Sequence, residues 1–394
     1  MLQQFQFKKL LSGNFGFTAL AKFTDLLVKF GLLVFFMLFR SNSDLVLYTY
    51  FLSLGSIFGA IFDWGGARYN VRLMAKSGIL PLNTFSIFIA IVSGIIIYYF
   101  DFIKFYDYEF LILCIVYGLC LGWVNTFIKY YEYIHKNSEL YKVQVIINLI
   151  SSVIISGIII FHINLYYSFI ILILGNLLLL IKCFIMNKGK SKFGIYPDLL
   201  YKGLPFLINT LAVMAFSQIN IVILNQFGSE SEISNFVLAQ RIIEVSLMLP
   251  NSYTSSVIGR FFKGEITMKD IQQKTSKLWL FSFFVCLFIS LIIKFLFPKY
   301  DLVIYLFLLL IPLGFVRSMS MSYSVVLDYT KYYLVRTITI SVILILNLIF
   351  AKYVIGLDYG IYLFSLYIGV LISFLYIVYK ITFKKYNIYE MFRH

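Results

Sequence analysis

Apolar segments of about twenty residues follow one another through this chain, and they limit what it can fold into. A helix needs about 20 apolar residues to cross the hydrocarbon core of a bilayer. Hydrophobic residues make up 61% of the chain and charged residues 13%, whereas a soluble domain carries about 25% charged residues. We therefore expect an all-α integral membrane protein with about twelve transmembrane helices. The expected spans are 11–38, 45–64, 81–100, 109–131, 142–162, 165–186, 204–227, 234–258, 276–297, 302–326, 334–355 and 360–381.

The longest inner connection, residues 187–203, divides the expected spans into two sets of six. It predicts an N-terminal lobe over 1–186 and a C-terminal lobe over 204–394, joined by a cytoplasmic loop. Two six-helix halves are a common transporter layout, with a substrate site where the halves face each other. Pro250 and Pro312 lie inside expected spans. Each removes a backbone donor and predicts a bend, although many membrane prolines only shape packing.

The distribution of basic residues predicts the orientation of the chain. If both termini are cytoplasmic, most of the 33 Lys and Arg residues, Arg336 among them, fall on inner flanks, as the positive-inside rule requires. We therefore expect a multi-pass protein of the cytoplasmic membrane with both termini inside. The N-terminus lacks a small-residue cleavage site, so Lys8 and Lys9 are interpreted as a cytoplasmic flank and not as part of a cleaved signal peptide. The basic residues assigned to the outer flanks are Arg40, Lys104, Lys294, Lys299 and Lys352.

Several function classes are disfavoured by the residue pattern. The net charge of +15 is spread over short loops, so we expect no nucleic-acid partner. The four cysteines lie in apolar segments without a CxxC pair and are interpreted as packing residues. The histidines do not cluster, and there is no phosphate-binding loop and no nucleophile beside a base. The sequence therefore predicts a transporter, neither an enzyme nor a metalloprotein, with no cofactor other than a coupling ion.

The first expected span contains three charged residues, Lys22, Asp25 and Lys29. On a helix they fall within an arc of about 60°. A lipid-facing charge at mid-membrane costs several kcal/mol, so this face is predicted to line a cavity. The alternative is that the three charges neutralise one another and tie the helix to a neighbour. Two cations against one anion favour a cavity that receives a negative group.

Two later spans repeat this pattern. In the eighth span, Arg241, Glu244 and Asn251 follow one face, although Arg241 and Glu244 can also form a local ion pair. In the tenth span, Arg317 lies near the middle with no acid one turn away, so it needs a partner elsewhere or an anionic ligand. Ser324 shares its face.

Further basic residues are predicted at the inner mouth of the cavity. Arg68 and Arg72 lie one turn apart if helical, and Lys129 shares a face with Asn125 in the fourth span. Anchoring to lipid headgroups explains the arginines equally well, and snorkelling explains the lysine. The pairs Gly55–Gly59 and Gly118–Gly122 match the small-xxx-small pattern of close helix contacts and are interpreted as packing.

Local motifs resemble a known family. Asp63-Trp64-Gly65 follows the first hairpin, with Arg68 and Arg72 after it, and residues 217–242 read SQINIVILNQFGSESEISNFVLAQRI. These patterns, together with the topology, resemble the Wzx-type flippases that move O-antigen or capsule repeat units, within the wider group that includes MATE exporters and lipid II flippases. In this resemblance Gln218 and Asn220 occupy a polar pair in which an acid is frequent at the second position.

The resemblance implies a MATE-like two-lobe fold in a bacterial inner membrane and export of an oligosaccharide linked to undecaprenyl pyrophosphate. It implies alternating access through a cationic cavity, with membrane lipids and other polysaccharide assembly proteins as partners. The hypothesis assigns Lys22, Lys29, Arg241 and Arg317 to the pyrophosphate head group, since Lys and Arg bind compact anions strongly in low dielectric. Asp25 and Glu244 are candidates for coupling to H⁺ or Na⁺. The polar cavity candidates are Gln218, Asn220 and Asn251.

Three other functions remain open at this point. A MATE-like exporter of drugs or metabolites would share the architecture, but a cavity for cationic drugs should be acidic. A polysaccharide polymerase or ligase usually needs a sizeable outer loop, and the outer loops here are short. A scaffold without transport activity gives no reason for charges buried in the membrane.

Overall fold

Long helices joined by short turns account for most of the described chain. The computed structural model describes residues 24, 28, 30–65, 80–83, 85–99, 107–133, 138–187, 191–194, 196–214, 218, 220–227, 229–262, 265–328, 333–355, 357 and 360–385. The chain divides into two compact units between Gln226 and Phe227. The predicted lobes, 1–186 and 204–394, stay a prediction.

The first unit contains eight helices and one pair of short strands within its described residues. These elements are α1 (Phe30–Phe39), α2 (Asn42–Asp63), β1 (Leu80–Asn83), α3 (Phe85–Tyr99), α4 (Tyr108–Tyr133), α5 (Ser138–Ile160), α6 (Tyr166–Met186), β2 (Ser191–Gly194), α7 (Pro197–Met214) and α8 (Asn220–Phe227), the last of which ends at the unit boundary.

The second unit consists mainly of helices within its described residues. Its elements are α9 (Glu230–Ser246), α10 (Met248–Phe262), α11 (Met268–Leu296), a 3₁₀ turn (Pro298–Tyr300), α12 (Val303–Leu309), α13 (Ile311–Asp328), α14 (Tyr333–Val354) and α15 (Gly360–Lys385).

The length and apolar character of these helices make the chain a multi-pass helical membrane protein, as the sequence predicts. Among the described residues, 8 helices are long and apolar enough to cross a membrane, or 9 if one bent pair counts as a span. The helices that pass this test fall on predicted spans. The total of about twelve spans stays a prediction.

Two glycine pairs let α2 and α4 approach closely. A Cβ atom on Gly118 would lie 2.5 Å from Phe58 Cβ and 2.9 Å from the Gly55 carbonyl oxygen. A Cβ atom on Gly122 would lie 2.5 Å from the Gly59 carbonyl oxygen. The backbones therefore meet where larger residues would separate them, which confirms that the small-xxx-small motifs serve packing.

Aromatic side chains fill the space between α1, α2, α4 and α6. The rings of Phe51 and Phe169 stack with centroids 4.1 Å apart, and Phe36 meets Tyr48 at 4.7 Å. Phe110 packs edge-on against Phe51 and Phe169. Offset and edge-to-face pairs of this kind add about 0.5–1.5 kcal/mol each beyond burial, so they help fix the angles between these helices.

The strands β1 and β2 pair in parallel, with Leu80 opposite Ser191 and Asn83 opposite Gly194. The first strand follows the second predicted span, and the second lies in the predicted 187–203 connection. Because paired strands lie side by side, the two connections emerge on the same side of the first unit. Two connections that are separated by an even number of spans, here four, must lie on the same side of the membrane.

Breaks in the second-unit helices lie close to the prolines inside the predicted spans. The segments Pro298–Leu309 and Ile311–Ser324 are bent by 47° at Leu310. Pro312 follows and has no N–H to donate to the preceding turn, which confirms the bend predicted there. The predicted span 234–258 is divided at Leu247, three residues before Pro250, into α9 and α10. The two segments still form one apolar helix long enough to cross a membrane, Glu230–Thr254. All four cysteines are buried and free, as expected of packing residues.

Candidate functional site

Five of the predicted site residues lie outside the described residues. They are Lys22, Asp25 and Lys29 of the first span and Arg68 and Arg72 of the inner mouth. Their assigned roles stay predictions. The predicted charged site residues that the structure describes are Lys129 of the first unit and Arg241, Glu244 and Arg317 of the second.

Arg241 and Glu244 form an ion pair along α9. The Nη1 atom of Arg241 lies 2.6 Å from Oε2 of Glu244, one helical turn away. Their side chains retain 15% and 23% exposure. The helix that holds them begins with a capping box, in which Ser229 and Glu232 satisfy each other's backbone donors. The structure thus contains the local pair that the i,i+3 spacing allows.

Arg317 lies on α13, two turns beyond the bend at Leu310. Its guanidinium forms no hydrogen bond and no ion pair within the described part of the chain. The carboxylate of Glu244 is the charged group that acts on it electrostatically. Two arginines therefore share one glutamate, and that glutamate is already bound by Arg241. The cluster, defined as Arg241, Glu244 and Arg317, keeps a surplus positive charge inside a membrane helix bundle.

A buried polar stripe on α11 packs against α13, the helix that carries Arg317. Gln272 donates to the Met319 carbonyl oxygen at 2.8 Å and also bonds Ser322 Oγ. Further along the same face, the hydroxyls of Thr275 and Ser282 and the indole N–H of Trp279 are buried without a hydrogen-bond partner among the described residues. None of the residues predicted from the sequence to be functional belongs to this stripe. The signal was its spacing, since polar side chains recur at intervals of three and four residues in an apolar helix.

Polar atoms without partners also occur on α10. The side-chain carbonyl of Asn251 and the hydroxyls of Ser252 and Thr254 are buried and make no hydrogen bond with described residues. An unsatisfied buried polar group costs about 1–3 kcal/mol. Several such groups in one unit indicate contact with water or with a polar ligand.

Gln218 and Asn220, the predicted polar pair, lie in the first unit. The Oε1 atom of Gln218 is 2.9 Å from the Ser53 hydroxyl of α2, which also lies 2.8 Å from the Thr49 carbonyl oxygen. Asn220 is buried. Gln218 therefore bonds to a neighbouring helix, and its role as a cavity residue stays a prediction.

Two basic residues differ in their surroundings. Lys129, predicted at the inner mouth, is exposed on α4. Arg336, assigned by the sequence to an inner flank, is only 3% exposed and donates to the Ser324 carbonyl oxygen at 3.2 Å. Sequence reasoning missed this buried cation because its position at a predicted span end is typical of a flanking charge. A cation near the carboxyl end of a helix such as α13 is favoured by the helix dipole.

Neither a protein-family model nor a protein of curated function matches the chain. Within the described residues, no group of three or more His, Cys, Asp or Glu side chains could hold a metal ion. The function is therefore inferred from the charged and polar side chains of the described residues.

Proposed function

We propose that this chain is a flippase that moves undecaprenyl-pyrophosphate-linked oligosaccharide repeat units across the bacterial cytoplasmic membrane. The observation that carries the proposal is Arg317, a cation in a membrane helix. Among the described residues, the acid that acts on it is Glu244, which is already bound by Arg241. A guanidinium matches the oxygens of a phosphate group with two parallel hydrogen bonds. An anionic head group would supply the partner that Arg317 lacks among the described residues.

The buried polar atoms of α10 and α11 support the same proposal. A pyrophosphate-linked sugar is large and polar, so it cannot cross the hydrocarbon region unaided. Its polyprenyl tail can stay in lipid while the head group passes along a hydrated surface. In this proposal the unpartnered groups of Asn251, Thr275 and Ser282 belong to that surface.

The wider arrangement is part of the proposal. About twelve spans in two MATE-like lobes would alternate between inward-open and outward-open states, with both termini in the cytoplasm. Lys22, Lys29 and Arg241 would join Arg317 at the head group, and Asp25 or Glu244 would couple transport to H⁺ or Na⁺. Membrane lipids and other polysaccharide assembly proteins would be the partners. A drug or metabolite exporter remains the alternative.

The test compares Arg317→Ala with Arg317→Lys in vesicles that contain a short-chain polyprenyl-pyrophosphate-linked sugar. The measurement is the fraction of this lipid that becomes accessible to a sugar-modifying enzyme added outside. We expect Arg317→Ala to reduce the rate at least tenfold, and Arg317→Lys to keep part of it because the charge remains.

Lys352→Ala is the matched control, because it removes one positive charge from an exposed position at the end of α14. It should transport at the rate of the unchanged protein. Equal rates for Arg317→Ala and the unchanged protein, at matched amounts in the vesicle membrane, would reject the proposal. Transport of cationic drugs and not of the lipid would favour the exporter.

A further inference from the structure

A polar cavity lies inside the first unit, apart from the charged cluster. Its volume is about 180 Å³, and it lies among α1, α2, α4, α5 and α6. Amide and hydroxyl side chains of α4, α5 and α6 line it: Asn125, Gln144, Asn148, Ser151, Ser152 and Asn176. None of the described residues that line it is charged.

The cavity exists because α5 has a polar face that is turned inward. Gln144, Asn148 and Ser151 recur at helical spacing on that face. The opposite face carries exposed apolar side chains, among them Ile146 and Val153. A membrane helix with this distribution turns its polar side away from lipid, so the cavity is a built feature of the helix packing.

Two amide side chains that line the cavity have no hydrogen-bond partner among the described residues. The Gln144 side-chain carbonyl oxygen is buried and has no hydrogen-bond partner among the described residues. The Asn125 amide likewise makes no hydrogen bond with them, while Asn176 uses its amide nitrogen to bond the Leu172 carbonyl oxygen at 2.9 Å. A buried group without a partner, such as the Gln144 oxygen, costs about 1–3 kcal/mol. A bound molecule that both donates and accepts hydrogen bonds would recover that cost.

We propose that this cavity binds a neutral, polyhydroxylated molecule the size of one sugar ring. Amides and hydroxyls each offer donors and acceptors, which is the pairing that sugar hydroxyls need. Drug-sized ligands occupy pockets of about 300–1,000 Å³, so this cavity is too small for a complete lipid-linked head group. Tyr48 and Tyr117 also line it and offer aromatic surface for a sugar ring. The inference depends on the proposed function only for the choice of sugars as ligands.

The experiment is saturation-transfer NMR on the full chain in lipid nanodiscs prepared without sugar-based detergents. The probes are glucose, galactose, rhamnose and N-acetylglucosamine, with inorganic phosphate as the contrasting ligand. We expect saturable binding of at least one neutral sugar and none of phosphate. The variants Gln144→Met and Asn125→Leu, which keep side-chain size and remove the amide, should bind that sugar at least tenfold more weakly.

Gln273→Met is the matched control, since it makes the same chemical change at an exposed position of α11 and should bind as the unchanged protein does. If the amide variants do not fold, Ser151→Ala tests the inference instead. We expect it to bind the sugar at least threefold more weakly than the unchanged protein. No saturable sugar binding, or unchanged binding in the cavity variants, would overturn the inference. The flippase proposal is tested separately, because free sugars carry neither phosphate nor lipid and their binding is measured without a transport step.

Discussion

Glu244 accepts a hydrogen bond of 2.6 Å from Arg241 one turn earlier on the same helix. The same carboxylate is the charged group that acts on Arg317, which has no other partner among the described residues. One acid thus balances two cations. Without Glu244 the cluster would hold two unbalanced positive charges, whereas without Arg241 the remaining two charges would balance.

Replacement of Glu244 should therefore destabilise the protein more than replacement of Arg241. Glu244→Gln leaves two arginines without an acid, whereas Arg241→Gln leaves Glu244 within range of Arg317. We expect Glu244→Gln to lower the free energy of unfolding by about 1–3 kcal/mol, between the values for exposed and buried pairs. Thermal unfolding of the purified variants shows which of them is less stable. A larger loss of stability for Arg241→Gln than for Glu244→Gln would contradict the prediction.

The close contact between α2 and α4 predicts that a larger residue at Gly122 lowers the stability of the protein. Gly122→Ala places a Cβ atom 2.5 Å from the Gly59 carbonyl oxygen and 3.0 Å from Phe62 Cβ, so the helices must separate. We expect a loss of about 1–3 kcal/mol in the free energy of unfolding. Gly157→Ala on α5 is the control, because no atom lies within 4 Å of the new Cβ and alanine favours a helix by about 0.5–1 kcal/mol. Equal unfolding temperatures for the two variants would reject the close-contact interpretation.

Arg40 closes the carboxyl end of α5. Its guanidinium donates to the carbonyl oxygens of Ile159 at 3.1 Å, Ile158 at 2.9 Å and Ile163 at 2.5 Å. His162 adopts a left-handed φ of 55° in the turn, and Ile163 N–H bonds the Ile158 carbonyl oxygen at 3.0 Å. The helix therefore ends in a Schellman motif that an arginine from the turn between α1 and α2 reinforces.

Arg40→Ala should lower the free energy of unfolding by about 2–4 kcal/mol, because charged hydrogen bonds contribute about 1.5–3 kcal/mol each and are not additive. Arg40→Lys should recover part of this loss, since an ammonium cannot reproduce the planar fork. Lys352→Ala removes an exposed charge from another helix end and should cost less than about 1 kcal/mol. Chemical denaturation measures all three; a loss for Arg40→Ala no larger than that for Lys352→Ala would contradict the assignment.

A buried hydrogen bond ties the end of α2 to α4. The Thr126 hydroxyl donates to Oδ1 of Asp63 at 2.5 Å, and both residues are buried. Thr126→Val keeps the shape but removes a donor to a carboxylate, so we expect a loss of about 1–3 kcal/mol.

Thr339→Val is the control for that change. The Thr339 hydroxyl bonds only the Val335 carbonyl oxygen of its own helix among the described residues, and its loss should cost less than about 1 kcal/mol. Thermal unfolding compares the two variants, and Thr126→Ser should restore most of the stability. Similar losses for both valine variants would show that the Asp63 contact contributes little.

The resemblance motif acquires a structural explanation from these contacts. Asp63 holds α4, and Trp64 and Gly65 have left-handed φ values of 46° and 71°. A Cβ atom on Gly65 would lie 2.6 Å from the Gly203 carbonyl oxygen. Glycine is therefore required where the end of α2 meets α7. The sequence located this turn, but it did not indicate that the turn serves packing.

The sequence predicted the positions of the helices better than it predicted the surroundings of the charged residues. The pattern located Arg317 and its lack of a nearby acid on its own helix, and it left open whether Arg241 and Glu244 pair locally. It assigned Arg336 to a flank, whereas that residue is buried, and it missed the polar stripe of α11. Periodicity reports which residues share a face of one helix, but it does not report which helix that face meets.

The sequence by itself determined that this is a helical membrane protein. The lengths of its apolar segments must match the bilayer, and each backbone polar group must be satisfied within its own segment. Only the tertiary structure decided that Arg40 closes α5, that Glu244 interacts with two arginines and that five helices of the first unit line a polar cavity. Those features depend on side chains from distant segments meeting, and packing between helices, not the pattern along any one of them, brings them together.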